Sequence, residues 1–404
     1  MAYGSPTAYV SAIDTNGLSK LEKIKWSRKI LKIIAPTLVM QQLASEPDIL
    51  QNGDGLTLRF TRQLPHGQAL GSWTAITSMV AESGEVNIPL FTQFDVVVAV
   101  RGNHQTFDLY DTRAAFTSYV SAAMESYGNW YKEELDYELT KLVSQYCYLM
   151  RADGDATYEK DSVTTAHATS KTVVRAASLL EADDFWNGGI ITYTSGPNIG
   201  WSGIISDFVD VNSVITHTSA PALSTAAGGD CFHICVTTGL TTGNKITGDA
   251  IRKAVRALEN NRAPKYDGGN YVGILDPYAK YDFIGALVTT AQYTEKGIKV
   301  LFSNEVGIAY GVRWLFANKV YRADAALYAE NVAGSVRTLL IMGKGAFGEL
   351  KINRGNKPKL TLQAPLKGST DPHEMKGMLG VSVAHAPTML NALNVVGITH
   401  VPTA

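Results

Sequence analysis

The longest periodic signal in the chain lies between 112 and 150. Phe116, Val120, Ala123, Tyr127, Trp130, Leu135, Leu139, Leu142, Tyr146 and Leu149 keep close to a three-four step, behind Asp111, a residue suited to capping a helix start. At 1.5 Å per residue this predicts a helix of roughly 55 to 60 Å. Neither a heptad seam nor an unbroken apolar run accompanies it, so a structural strut is expected rather than a coiled coil or a membrane span. Upstream, Leu18, Leu21, Ile24, Leu31 and Ile34 recur at near-helical spacing until Pro36, and the first fifty residues read as an arm. Leu56, Leu58 and Phe60 then alternate with Thr57, Arg59 and Thr61, which predicts a half-buried strand over 56–64. A second, longer strand is expected over 86–101, and the polar stretch 65–85 makes the pair an extended hairpin. Two strands alone are marginal in water, so this hairpin must lean on other structure.

The middle of the chain changes character. Residues 188–239 are rich in Gly, Ser, Thr and β-branched side chains, with strands expected at 190–193, 204–211 and 232–237. Thr247 or Asp249 opens a helix carrying Ile251, Val255 and Leu258 that ends before Pro264. A buried strand over 271–275 leads to Asp276-Pro277, a good helix start with Asp as cap and Pro in the first turn. Further strands are expected at 299–302, 311–316, 336–342 and 359–362. The class is α+β, without internal repeats.

Composition narrows the function classes. The chain has 404 residues, with 36 Lys plus Arg against 37 Asp plus Glu and 45% apolar residues. That length and apolar fraction suffice for two or three cores. A near-zero balance argues against a surface that grips nucleic acid or anionic membrane throughout. No apolar run is long enough to span a bilayer, and 1–16 lack the layout of a signal peptide, so a soluble chain made in a cytosol is expected. Cys147, Cys231 and Cys235 are too few and too odd in number for a disulfide framework and fit buried thiols. Charge is unevenly placed: Lys20, Lys23, Lys25, Arg28, Lys29 and Lys32 stand against Glu22 alone on the arm helix. A solvated charged face explains this blandly, and contact with a polyanion or an acidic partner is the sharper reading.

Candidate chemistry is sparse. Cys231, His233 and Cys235 would share one face of a strand, but residues four apart on a strand are separated by ~13 Å, too far for one tetrahedral zinc. A buried strand face is expected instead. Gly343-Lys-Gly345-Ala-Phe-Gly348 formally matches a dinucleotide fingerprint, yet residues 349–354 alternate like a strand, whereas that fingerprint needs a helix start; a hairpin or loop is expected. Glu133, Glu134, Asp136 and Glu138 share the long helix with Lys132 and Lys141, and helix-surface ion pairing is expected to account for them. No catalytic, cofactor-binding or metal-ligating set emerges, and no cofactor is expected.

The order of features, a basic arm, an extended hairpin, a very long helix and a Gly-rich α+β region, resembles the HK97-type major capsid proteins of tailed bacteriophages. Three passages resemble the N-four-like branch: Thr247-Gly-Asp-Ala-Ile-Arg-Lys-Ala-Val-Arg-Ala-Leu258 with Asn270-Tyr-Val-Gly-Ile-Leu-Asp-Pro277; Asn304-Glu-Val-Gly-Ile-Ala-Tyr-Gly-Val-Arg-Trp314; and Thr370-Asp-Pro-His-Glu-Met-Lys-Gly-Met-Leu-Gly380. Asn52-Gly-Asp-Gly-Leu-Thr-Leu-Arg-Phe60 is a weaker match. Residues 188–227 and 321–335 depart from the pattern and are expected to be insertions, 188–227 on the outer surface.

The resemblance implies an N-terminal arm (1–54), an E-loop hairpin (55–106), a P-domain with a spine helix (107–175, completed by about 311–370) and an A-domain (176–310 and 371–404). It implies a non-enzymatic protein that self-assembles through hexamers and pentamers into the icosahedral head enclosing double-stranded DNA, with weak non-specific DNA contact. Portal and scaffolding proteins are expected partners, a decoration protein is a further one, and no membrane is involved. Location in the virion, after assembly in the host cytoplasm, is expected. The arm cations Lys20, Lys23, Lys25, Arg28, Lys29 and Lys32 would meet lumen, scaffold or DNA. Arg59, Arg62, His66, Trp73, Glu82 and Glu85 would serve the hairpin's contacts between subunits. Two alternatives are an encapsulin-like nanocompartment shell and a soluble enzyme using the Gly-rich centre.

Overall fold

A computed structural model describes residues 39–45, 57–63, 91–108, 119–153, 158–162, 171–173, 182–219, 230–236, 240–241, 243–266, 269–291, 307–317, 336–351, 359–363 and 376–403. The arm helix and its cations, the hairpin connection 64–90, and the expected strand at 299–302 lie outside these residues.

The hairpin forms as two antiparallel strands, β1 (Thr57–Gln63) and β2 (Phe91–Val97), with Phe60 opposite Phe94. The expected second strand breaks at Val98, where β3 (Ala99–Asp108) leaves the ribbon for another sheet. The long helix is observed over Tyr119–Gln145, about 40 Å at 1.5 Å per residue, with 112–118 outside the described residues. Its expected end at 150 is wrong. Tyr146 and Leu149 continue the helical spacing, but Tyr148–Arg151 is a strand, β4. A short apolar run buried on all sides carries no period that distinguishes helix from strand. Here parallel pairing with β18 (Val395–His400) decides the outcome.

The described strands beyond the hairpin form three sheets. The first is mixed and six-stranded. With β4 and β18 it contains β11 (Tyr271–Leu275), β12 (Ile308–Ala309), β13 (Val312–Phe316) and β14 (Arg337–Met342), in the order β12-β13-β11-β14-β18-β4. It is covered on both faces, which is why its strands read as continuous apolar runs. Tyr271, Leu275, Leu339 and Ile341 pack with Ile251, Leu258 and Phe283 from the helices Gly248–Asn260 and Pro277–Ala291. Val272, Ile274, Leu340 and Met342 pack on the other side with Leu139 and Val143 of the long helix and Met40 of the short helix Met40–Leu43. Both helix starts behave as expected: Thr247 Oγ1 accepts from Ala250 N and Asp276 Oδ1 from Ala279 N.

The second sheet centres on β17 (Lys376–Met389), whose fourteen residues pair with β3 on one side and with β15 (Phe347–Lys351) and β16 (Lys359–Gln363) on the other. Tyr131 and Leu135 of the long helix lie against Val381 and Val383. The third sheet is antiparallel and six-stranded. It is built from β5 (Tyr158–Ser162), β6 (Lys171–Val173), β7 (Ile190–Tyr193), β8 (Ser202–Val209), β9 (Val214–Ser219) and β10 (Cys231–Cys235), in the order β5-β10-β7-β8-β9-β6. The described part of the segment 188–227 therefore supplies β7, β8 and β9, interior strands of a sheet that reaches back to Tyr158. Residues 311–370 and 371–404 each divide between sheets: β13, β14 and β18 lie in the first, β15, β16 and β17 in the second.

Candidate assembly surfaces and the charged joint

The hairpin does lean on other structure, within its own chain. Phe60 stacks on Phe94 with ring centroids 5.3 Å apart, and Phe94 meets Trp201 edge-on at 4.9 Å. Phe94, Val96 and Val98 complete a core with Trp186 of the turn before β7 and with Ile191, Tyr193, Phe208 and Phe232 of the third sheet. The two described members of the expected hairpin set divide by face. Arg59 donates through Nε to Asp95 Oδ1 at 2.6 Å and through Nη2 to Oδ2 at 2.8 Å on the solvent side. Arg62 lies over the Trp201 ring at 5.0 Å, and burial pulls its guanidinium down to about 10. Gly200, in a left-handed conformation at φ 74°, leaves room for that guanidinium, which a Cβ there would strike. His66, Trp73, Glu82 and Glu85 lie outside the described residues.

The expectation of helix-surface ion pairing fails for Asp136 and Glu138. Asp136 is buried and accepts from Met40 N at 2.8 Å, which satisfies the start of the short helix. Glu138 reaches off the helix to the second sheet. It pairs with Arg101 of β3 and, through Oε2, with His385 Nε2 of β17 at 3.0 Å. His385 Nδ1 lies 3.7 Å from Glu349 Oε1 of β15, and that Glu349 side chain is fully buried. The hydrogen bond from His385 and the charge of Arg101 hold the Glu138 carboxyl below the usual carboxylate range, against the effect of burial. Burial and the Glu138 charge push Glu134 the other way. A cavity of about 190 Å³ borders this joint, lined by Arg101, Trp130, Tyr131, Glu134, Glu138 and His385 among others. Helical spacing places these acids on one helix, but only the distant strands show what they meet.

The other motifs settle as local structure. Within Gly343-to-Gly348 the first four residues turn from β14 into β15, held by Asn394 Nδ2 donating to Lys344 O at 3.2 Å, and the last two open β15, so no helix starts there. It connects two sheets, so it is a loop and not a hairpin. Cys231, His233 and Cys235 lie along β10, where His233 stacks on Tyr148 at 4.2 Å and burial pushes the Cys235 thiol up to about 12. Cys231 is exposed, against the expectation of a buried thiol. Apolar side chains stay uncovered where the hairpin passes into the second sheet, with Val97 62% exposed and Val100 71%, and toward the other end of β17, where Met378 is 41% exposed.

No protein-family model matches the chain, and no curated protein matches it in sequence. Solved structures do. The cyanophage Pam1 capsid is 14% identical over 96% of this chain and 99% of that one, with a TM-score of 0.54. The capsid of cyanophage P-SCSP1u is 11% identical over the full length of both chains at 0.53, and that of Ralstonia phage GP4 12% identical over 96% and 97% at 0.52. The chain has the HK97-type capsid fold. Such likeness over whole chains at low identity means that the element order and pairing persist where side chains do not.

Proposed function

We propose that this chain is the major capsid protein of a tailed bacteriophage, which assembles with copies of itself into the icosahedral shell around a double-stranded DNA genome. End-to-end likeness to phage capsid chains carries this reading. The uncovered Val97 and Val100 at the hairpin exit and Met378 farther along β17 are consistent with it, since an assembling chain leaves apolar side chains for its neighbours to cover. The protein's work is then done by interfaces rather than by a catalytic centre, and permanent interfaces bury large areas.

In this reading the hairpin is the E-loop, and His66, Trp73, Glu82 and Glu85 on its connection meet a neighbouring subunit. The long helix with β3, β15, β16 and β17 forms the P-domain. The mixed sheet with its two helices forms the A-domain, and the antiparallel sheet is an insertion. The arm cations Lys20, Lys23, Lys25, Arg28, Lys29 and Lys32 contact the genome or an acidic scaffolding protein. Portal and decoration proteins are further partners, and assembly takes place in the host cytoplasm before the protein resides in the virion. Near-zero net charge suits a wall past which DNA must slide.

Electron microscopy and light scattering of the purified protein test the reading: closed shells or capsomers are expected, and a compact monomer at all concentrations overturns it. Charge reversal at Lys23, Lys25 and Lys29 tests the arm. Reduced particle yield or DNA content is expected, and particles of normal yield and content refute that role.

A further inference from the structure

A second concentration of positive charge lies far along the chain from the arm. A cavity of about 340 Å³ opens between the end of β4, the loop before the helix Gly248–Asn260, and that helix; Arg151, Asp153, Lys245, Asp249, Lys253 and Arg256 supply its charged lining. Its walls are fixed by hydrogen bonds. Val401 N donates to Asn244 O at 3.0 Å, and Asn244 Oδ1 accepts from Thr241 N at 2.6 Å, which holds the loop that presents Lys245. Thr399 Oγ1 donates to Met150 O at 3.1 Å and Ala152 N to Thr399 O at 2.9 Å, which holds the floor. There the Arg151 side chain is only 4% exposed and bonds Asp153 at 2.8 Å.

The helix pairs its other charges and leaves these. Asp249 bonds Arg252 at 2.6 Å and Glu259 bonds Lys265 at 3.1 Å. Among the described residues, Lys245, Lys253 and Arg256 have no carboxylate partner. Lys253 and Arg256 stand three apart on one helix face, an arrangement of like charges that costs stability unless an anion lies between them. A carboxylate is monovalent and planar, and a single arginine fork satisfies it. Cations converging from a loop and from two turns of a helix suit a multiply charged, tetrahedral anion better.

We infer that this pocket binds a phosphate group, held by Lys245, Lys253 and Arg256 above the Arg151–Asp153 floor. Such binding is independent of shell assembly, because the pocket is complete within one chain. A free phosphate and a nucleic-acid backbone present the same group, and competition separates them.

The test is calorimetric titration of the full-length protein with inorganic phosphate and pyrophosphate at fixed ionic strength, with chloride as the control. Saturable binding is expected, weakened about tenfold for each cation removed in Lys245→Ala, Lys253→Ala and Arg256→Gln. Those residues are exposed, so each variant should melt in chloride no lower than the wild type; Lys253→Glu serves as a second variant that should abolish binding. Displacement of phosphate by a duplex oligonucleotide identifies the backbone as its source, and a failure to displace identifies free phosphate. Phosphate binding no stronger than chloride, binding unchanged in the variants, or polyglutamate binding more tightly than pyrophosphate would each overturn the inference.

Discussion

The antiparallel sheet and the joint beneath the long helix solve the same packing problem by different means. In the sheet and the turn that leads into it, Trp186, Tyr193, Phe208 and Phe232 are almost wholly buried and interlock with Phe94 from the hairpin. Aromatic side chains bury about 150–250 Å² each, so area alone holds this unit. At the joint the apolar cluster is small, Tyr131, Leu135, Val381 and Val383, and charge does much of the rest. Glu138, His385, Arg101 and Glu349 join four elements in a few contacts. Contacts by area are diffuse and indifferent to pH, whereas contacts by charge are directional and fail when a single proton or partner is lost.

Substitutions should separate the two. Phe208→Ala, which opens a cavity in the sheet core, is expected to cost about 3–5 kcal/mol in chemical denaturation of the unassembled subunit, equally at pH 5 and pH 8. Glu138→Ala should cost less, about 1–3 kcal/mol, because it strands the buried His385. A larger loss there than at Phe208 would reverse the comparison.

The pH profile sharpens it further. The Glu138 carboxyl is held below its ordinary value of 4.5, so its contribution is present above that value and is lost as pH falls through the folded one. Glu134 is held above its own ordinary value, so its contribution has the opposite sign and falls in the range above 4.5, and Arg101, Lys141, His385 and Glu349 complete the charged surroundings beside the neutral Tyr131. Glu138→Gln should therefore lower stability at neutral pH and flatten its decline below pH 5, whereas Phe208→Ala should leave the shape of that decline unchanged. Melting temperatures of both variants from pH 3.5 to 8 check this. Smallest of all, Arg59→Ala removes an exposed ion pair, Arg59 with Asp95, and should leave the melting temperature within experimental scatter.

Elements read from local pattern fared well in the sequence. Ile190–Tyr193 and Tyr271–Leu275 appear with the expected bounds, and the caps at Thr247 and Asp276 hold, because each depends on side chains within a few positions. Elements that depend on distant partners did not show. β17 contains Gly377, Gly380 and Pro387, which weaken a strand signal, yet β3, β15 and β16 all pair with it. The joint was hidden for the same reason. Glu138 lies 247 positions from His385, and only the pairing of β3 with β17 brings Arg101 beside both. The fold was reachable from the order of elements, whereas the charges that fasten it were not.

A cryo-microscopy map of the purified protein tests the shell most directly. Closed icosahedral particles of hexamers and pentamers are predicted, in which a neighbouring chain covers Val97, Val100 and Met378. Particles that leave those side chains facing solvent, or a protein that stays monomeric across concentration, salt and pH, would contradict the shell reading.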